Sequence, residues 1–168
     1  GDMEEMKRVK PFEWKDEFPE VFKRGGFDVV IGNPPYIDSE WLTKTNPKLR
    51  EYCVTHYESA KGNWDIFCVF VEKCLKLSRQ YSSMIVPNKL LSADYARYTR
   101  NFITSKHLLI KIRDFSNVPV FPVAVYPIVY VAKTTKLNND ESIVYELMRQ
   151  IERDKVEVET KIALSHEK

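Results

Sequence analysis

The sequence predicts an α/β fold: a sheet with helices on its faces and a terminal antiparallel hairpin. Three observations predict it. Short apolar runs at residues 27–31, 83–86 and 108–115 read as strands. Helix-like stretches at 64–79 and 92–105 separate them, so the early connections are expected to be right-handed parallel crossovers. A fourth apolar run, 124–132, follows the third strand with no helix between them.

Each element has a local reason. Residues 1–26 are charged and aromatic with prolines at 11 and 19, and read as an extended lead-in packed by Phe12, Trp14, Phe18 and Phe22. Val29, Val30 and Ile31 form a continuous apolar run, expected of a strand buried on both faces. Residues 37–63 are polar and mixed, a long loop or lid with a short helix near 47–53. Asn63 is placed to cap the next helix, which is apolar almost all round and so expected to be well buried. Pro87 ends the strand at 83–86, and Ser92 is placed to cap the second helix, where Tyr95, Tyr98 and Phe102 form a stripe. Pro119, Pro122 and Pro127 point to a late start or a bulge in the strand at 124–132. Beyond a turn at Asn138-Asn139-Asp140, Ile143, Val144, Leu147, Met148 and Ile151 fit an amphipathic helix, and residues 156–164 fit a strand.

Composition sets the bounds. The 168 residues suit one domain, with 43% hydrophobic and 30% charged residues, a globular balance. A net charge of +2 neither establishes nor excludes nucleic-acid binding. Cys53, Cys68 and Cys74 form no Cys-x-x-Cys pair and the three histidines stand far apart, so no metal site is expected. The odd cysteine count fits a reducing cytoplasm, and no apolar run reaches membrane-spanning length.

The most informative stretch is Gly32-Asn33-Pro34-Pro35-Tyr36, directly after the first strand. Gly32 allows close backbone approach. The prolines stiffen the turn and carry no N–H, so its backbone presents acceptors and few donors. An amine attached to an aromatic ring is a poor nucleophile because its lone pair is delocalised. Two acceptors, the Asn33 side chain and the Pro34 carbonyl, can hold such an amine and favour its pyramidal form. Tyr36 adds a ring on which a flat base can stack. The plain alternative is a strand-to-loop turn with a packing tyrosine.

This motif resembles that of adenine-N6 DNA methyltransferases, and the likeness covers roughly residues 11–135. Pro11-Phe12-Glu13-Trp14 and Phe18-Pro19-Glu20-Val21-Phe22 resemble the lead-in of large adenine-specific methylases of restriction-modification systems, type IIG enzymes and phage-defence methylases among them. Gly62-Asn63-Trp64-Asp65-Ile66-Phe67, Ile85-Val86-Pro87-Asn88-Lys89-Leu90-Leu91 and the segment from Asp114 to Val131 resemble later motifs of the family. The resemblance implies the second half of an S-adenosylmethionine-dependent, Rossmann-like methyltransferase fold, its last strand antiparallel and inserted between its two predecessors. The domain reading is therefore a lead-in at 1–26, catalytic half at 27–135, and at 136–168 a helix and strand leading toward a target-recognition region.

The glycine-rich cofactor motif of the family is absent, as are a recognisable second base-stacking aromatic and a target-recognition domain. Leu77 to Ser83 replaces a turn that often holds two glycines. The chain is accordingly expected to be an excised piece of a larger enzyme, Gly1 reading as the remnant of a cleaved tag. A missing cofactor-binding half would dock at the exposed edge of the first strand, an association risk while unpaired.

The resemblance implies catalytic roles for Asn33, Pro34, Pro35 and Tyr36, with S-adenosylmethionine as cofactor and double-stranded DNA with a flipped adenine as partner. It places Asp65 and Phe67 on the cofactor side; they read equally well as a helix-start carboxylate and a core ring. Lys89, Arg97 and Arg100 are phosphate-contact candidates, though a solvated helix face is the first reading. Asn88 reads as a turn-ordering residue, and Asp114 and Phe115 as structural. Rival readings are a methyltransferase acting on protein glutamine or RNA, and a scaffold fragment without catalysis.

Overall fold

The computed structural model describes residues 12–122, 124–134 and 142–163. Helices α1 (Trp14–Glu17) and α2 (Pro19–Lys23) lead into β1 (Phe27–Gly32). Then come α3 (Ser39–Thr45), α4 (Pro47–His56), α5 (Ile66–Leu77), β2 (Ser78–Pro87) and α6 (Lys89–Ser92). A 3-10 turn at Asp94–Ala96 precedes α7 (Arg97–Lys106), β3 (Leu108–Asn117), β4 (Pro127–Lys133), β5 (Ile143–Glu152) and β6 (Lys155–Ala163). The six strands form one sheet in the order β1-β2-β4-β3-β5-β6.

The topology follows the sequence reading closely up to residue 133. β1 and β2 are parallel, joined through α5. β4 is antiparallel to both β2 and β3 and lies between them, as the resemblance implies. It starts late, at Pro127, where a residue lacking an N–H is tolerated. α5 passes into β2 with no intervening loop, so β2 begins five residues before the expected strand.

The core lies on one face of the sheet. Phe67, Val71 and Leu75 of α5 and Phe102 and Ile103 of α7 pack against Met84, Val86, Ile128, Tyr130 and Ile112. The expectation of helices on both faces is corrected: α5 and α7 share a face, and no core cluster forms on the other among the described residues. β1 is consequently not buried on both sides. Val30 faces the core, while Val29 and Ile31 are 55% and 76% exposed on the opposite face.

A second core explains the long loop. Leu42 of α3, Cys53 of α4 and Trp64 pack on Ile66 and Val69, the side of α5 turned away from the sheet. The loop therefore holds two helices, each capped at its start: Asp38 accepts from the Trp41 amide and Asn46 from the Leu49 amide.

Four local expectations are corrected. The lead-in is helical at α1 and α2, Pro19 taking the first helical position. Asn63 is not a cap; its side-chain oxygen accepts from the Ser39 hydroxyl. Ser92 ends α6 instead of capping α7. Residues 143–152 are a strand, not a helix: β5 pairs in parallel with the free edge of β3. The pairing supplies tertiary bonds that override a short helical spacing, and Ile143, Val144 and Tyr145 suit a strand. The expected strand at 156–164 is found as β6, while the turn at 138–140 lies outside the described residues.

Two substitutions separate the buried and bare faces. Ile128→Ala should cost about 2–5 kcal/mol by opening a cavity, whereas Ile31→Lys should change stability by no more than about 0.5 kcal/mol and reduce self-association. Chemical denaturation and light scattering check both.

Candidate active site

The turn at Asn33 to Tyr36 is held from below. Gly26, before β1, has φ +121°, and a Cβ there would lie 2.5 Å from the Leu77 carbonyl oxygen. Only glycine lets β1 start this close to the junction of α5 and β2. At mid-strand the Cys74 thiol donates to the Val30 carbonyl at 3.3 Å. Emerging from that frame, Asn33 is exposed, Pro34 buried, Pro35 exposed and Tyr36 half-buried.

The Asn33 side chain makes no hydrogen bond among the described residues, so its acceptor oxygen is free for a ligand. The Tyr36 ring meets Phe121 edge to face, centroids 6.2 Å apart. Asn33, Pro34, Tyr36, Phe121 and Val125 line a shallow, open depression of 210 Å³. The buried Tyr36 hydroxyl has no partner, and burial raises its pKa, so it stays protonated. Phe121 is the aromatic that sequence reading missed. It sits between Pro119 and Pro122, and only the folded loop brings it to Tyr36.

Two deeper cavities flank the turn. Tyr36, Asp38, Asp65, Asn88, Lys89 and Tyr126 line one of 310 Å³. The other, of 470 Å³, is mostly apolar and includes Pro35, Ile37, Trp41, Tyr52, Ile66 and Phe70 in its walls. α5 begins between them, Asp65 facing the first and Ile66 the second.

Asp65 and Phe67 both line the 310 Å³ cleft. Phe67 is fully buried in the main core and also borders that cleft. Phe70 of the same helix, 39% exposed, lines the 470 Å³ cavity. Asp65 occupies the N-cap position of α5 yet makes no capping bond. Such a bond ordinarily contributes about 1 kcal/mol. Its Oδ2 instead accepts from the Tyr95 hydroxyl at 2.5 Å. Burial first, and that bond second, raise the Tyr95 pKa.

The basic candidates also separate. Arg100 donates to the carbonyls of Leu90 and Ala93 at 3.0 and 2.9 Å, tying α6 to α7. Arg97 is exposed and spends one nitrogen on the Tyr98 hydroxyl at 2.9 Å. Lys89 is exposed at the rim of the 310 Å³ cleft, the best placed of the three to meet a phosphate. Asn88 donates to the Ser116 hydroxyl of β3 at 3.1 Å, a long-range tie in place of the local backbone bond expected of a turn-ordering residue. Asp114 is structural: it accepts from the Ser116 amide at 2.7 Å and from the Tyr145 hydroxyl, whose pKa burial and this bond push up to about 12.

No cluster of three or more metal-ligating side chains exists among the described residues, and no described helix is long and apolar enough to cross a membrane. All three cysteines are buried; burial pushes the Cys68 thiol up to about 12 and raises those of Cys53 and Cys74. The thiolate is the reactive form. A thiol reagent at pH 8 should therefore label none of them in the folded chain and all three after denaturation, as mass spectrometry would show.

Solved structures share this arrangement. A putative class I S-adenosylmethionine-dependent methyltransferase of Listeria monocytogenes aligns with a TM-score of 0.57 at 15% identity, over 73% of this chain and 36% of that one. The type IIG restriction endonuclease BpuSI aligns at 0.54 and 16%, over 80% and 19%. The fold is that of the S-adenosylmethionine-dependent methyltransferases, represented by part of its sheet.

Sequence comparison narrows the class. The family model of the Eco57I restriction-modification methylases matches residues 1–121, and the chain belongs to that family. The type II methyltransferase M.BstVI of Geobacillus stearothermophilus is 29% identical over 148 residues, 85% of this chain and 25% of its own length. The type II restriction enzyme and methyltransferase RM.Eco57I of Escherichia coli is 29% identical over 97 residues, 56% of this chain and 10% of its own length. The chain thus spans a quarter or less of these curated relatives.

Proposed function

We propose that this chain is the catalytic-turn half of an adenine-N6 DNA methyltransferase in a restriction-modification system. The observation that carries the reading is Asn33: exposed, without a side-chain hydrogen bond among the described residues, followed by two prolines and set beside paired rings. A flipped adenine would stack on Tyr36 with Phe121 at its edge. Its amine would donate to the Asn33 side-chain oxygen and the Pro34 carbonyl, which direct the nitrogen lone pair toward the incoming methyl group. No general base is required before attack, because the amine loses its proton only after gaining the methyl. S-adenosylmethionine supplies an electrophilic methyl group when bound. The chain's residues fit part of such a ligand: a carboxylate at Asp65 for positive charge, and ring surfaces at Phe70 and Trp41 beside Pro35.

The remaining parts would come from a longer polypeptide. A cofactor-binding half would pair with the β1 edge and cover Val29 and Ile31, and a target-recognition domain would choose the DNA sequence. Lys89 would meet a phosphate at the rim, a contact that positions DNA without reading it.

The test uses the full-length protein, methyl-labelled S-adenosylmethionine and unmethylated DNA, with product nucleosides separated by chromatography. Label is expected in N6-methyladenine, and Asn33→Ala should lower transfer by at least about 100-fold with the fold intact. Label in protein or RNA only would transfer the same turn to another acceptor. Near-normal transfer by Asn33→Ala would reject the mechanism.

A further inference from the structure

The Tyr95 hydroxyl has a use that the catalytic turn does not explain. Asp65 stands where an aspartate ordinarily closes a helix start, and it does not close it. The Tyr95 hydroxyl takes its Oδ2 at 2.5 Å and turns the carboxylate toward the 310 Å³ cleft. Oδ1 has no partner among the described residues. Tyr95 itself is gripped: its ring packs on both core clusters and meets Phe67 at 6.4 Å. A rigid donor thus fixes the direction of a carboxylate that would otherwise fold back onto its own helix.

The cleft's charges indicate what the free oxygen meets. Asp38 and Asp65 line it against one cation, Lys89, at the rim. Asp38 already spends an oxygen on the Trp41 amide at 2.7 Å. A polyanion is disfavoured in the interior of such a cleft, whereas a cation beside the rings of Tyr36 and Tyr126 is favoured. Of the two ligands in the proposed reaction, DNA is the polyanion and the methyl donor carries the positive sulfonium and ammonium groups.

We propose that Tyr95 is a positioning residue that holds the Asp65 carboxylate out of its helix cap and toward the cationic part of the methyl donor. This rests on the methyltransferase reading above. Phe67, which borders the same cleft and meets the Tyr95 ring, would support the arrangement.

The experiment is a double-mutant cycle in the full-length protein, Tyr95→Phe, Asp65→Ala and the pair, read by calorimetric binding of S-adenosylmethionine, by methyl transfer to DNA and by melting temperature. Asp65→Ala should weaken cofactor binding at least tenfold and Tyr95→Phe about threefold or more, while KM for DNA stays within twofold. In the Asp65→Ala background, Tyr95→Phe should have no further effect on binding. The melting temperature without cofactor should be unchanged by Tyr95→Phe, because the ring and its packing remain. Unaltered cofactor affinity in Tyr95→Phe, or equal losses in both backgrounds, overturns the inference while leaving the methyltransferase reading in place. Failure of the unaltered protein both to bind the cofactor and to transfer methyl overturns the two together.

Discussion

Burial of α5 is the constraint on which the rest depends. This one helix touches both cores: Phe67, Val71 and Leu75 press on the sheet, while Ile66 and Val69 receive α3, α4 and Trp64. It is rigid because apolar contacts surround it, and it transmits that rigidity at both ends. Its C-terminus runs straight into β2 and meets Gly26, setting where β1 starts. Its N-terminus sets Asp65 and Ile66 between the two cavities. Glu72, fully buried on the same helix, accepts from the Glu58 and Ser59 amides and pairs with Lys76, so the loop before α5 is tied to it as well. An unpaired carboxylate there would be costly, and each of these bonds offsets that cost.

Function then follows from where the frame stops. β1 delivers Asn33 to the surface, and two prolines stiffen the backbone that follows it. A free acceptor held rigid is what an amine needs, since little ordering remains to be done when the substrate arrives. The pairing of Tyr36 with Phe121 joins residues 85 apart in sequence across the turn and the loop between β3 and β4. The position of β4 between β2 and β3 brings that loop back beside β1.

Much of this was legible in the sequence, and the losses have physical causes. The order of strands and helices, the inserted antiparallel β4 and the turn at Asn33 to Tyr36 could be read because each is local or carried by a family-specific motif. The partners of side chains could not. Asn63 and Ser92 are good capping residues by type, yet Ser39 takes the first and the chain turns elsewhere at the second. Phe67 and Phe70 lie three residues apart on one helix, and only the packed structure shows which faces the core. β5 misled because its apolar spacing fits either period over ten residues, and the free edge of β3 decided the matter. Phe121 was hidden among prolines in a loop whose path no periodicity describes.

The bare sheet face has the same origin. Val29 and Ile31 have the composition of buried residues and are nonetheless exposed. That mismatch agrees with relatives four to ten times longer than the part this chain matches. The role of the turn is tested most directly by a crystal structure of the full-length protein with DNA and an unreactive cofactor analogue. A flipped adenine is expected to stack on Tyr36, its amine within about 3.2 Å of both the Asn33 side-chain oxygen and the Pro34 carbonyl. A target base left in the duplex, or an amine seated away from Asn33 in either flanking cavity, would contradict it.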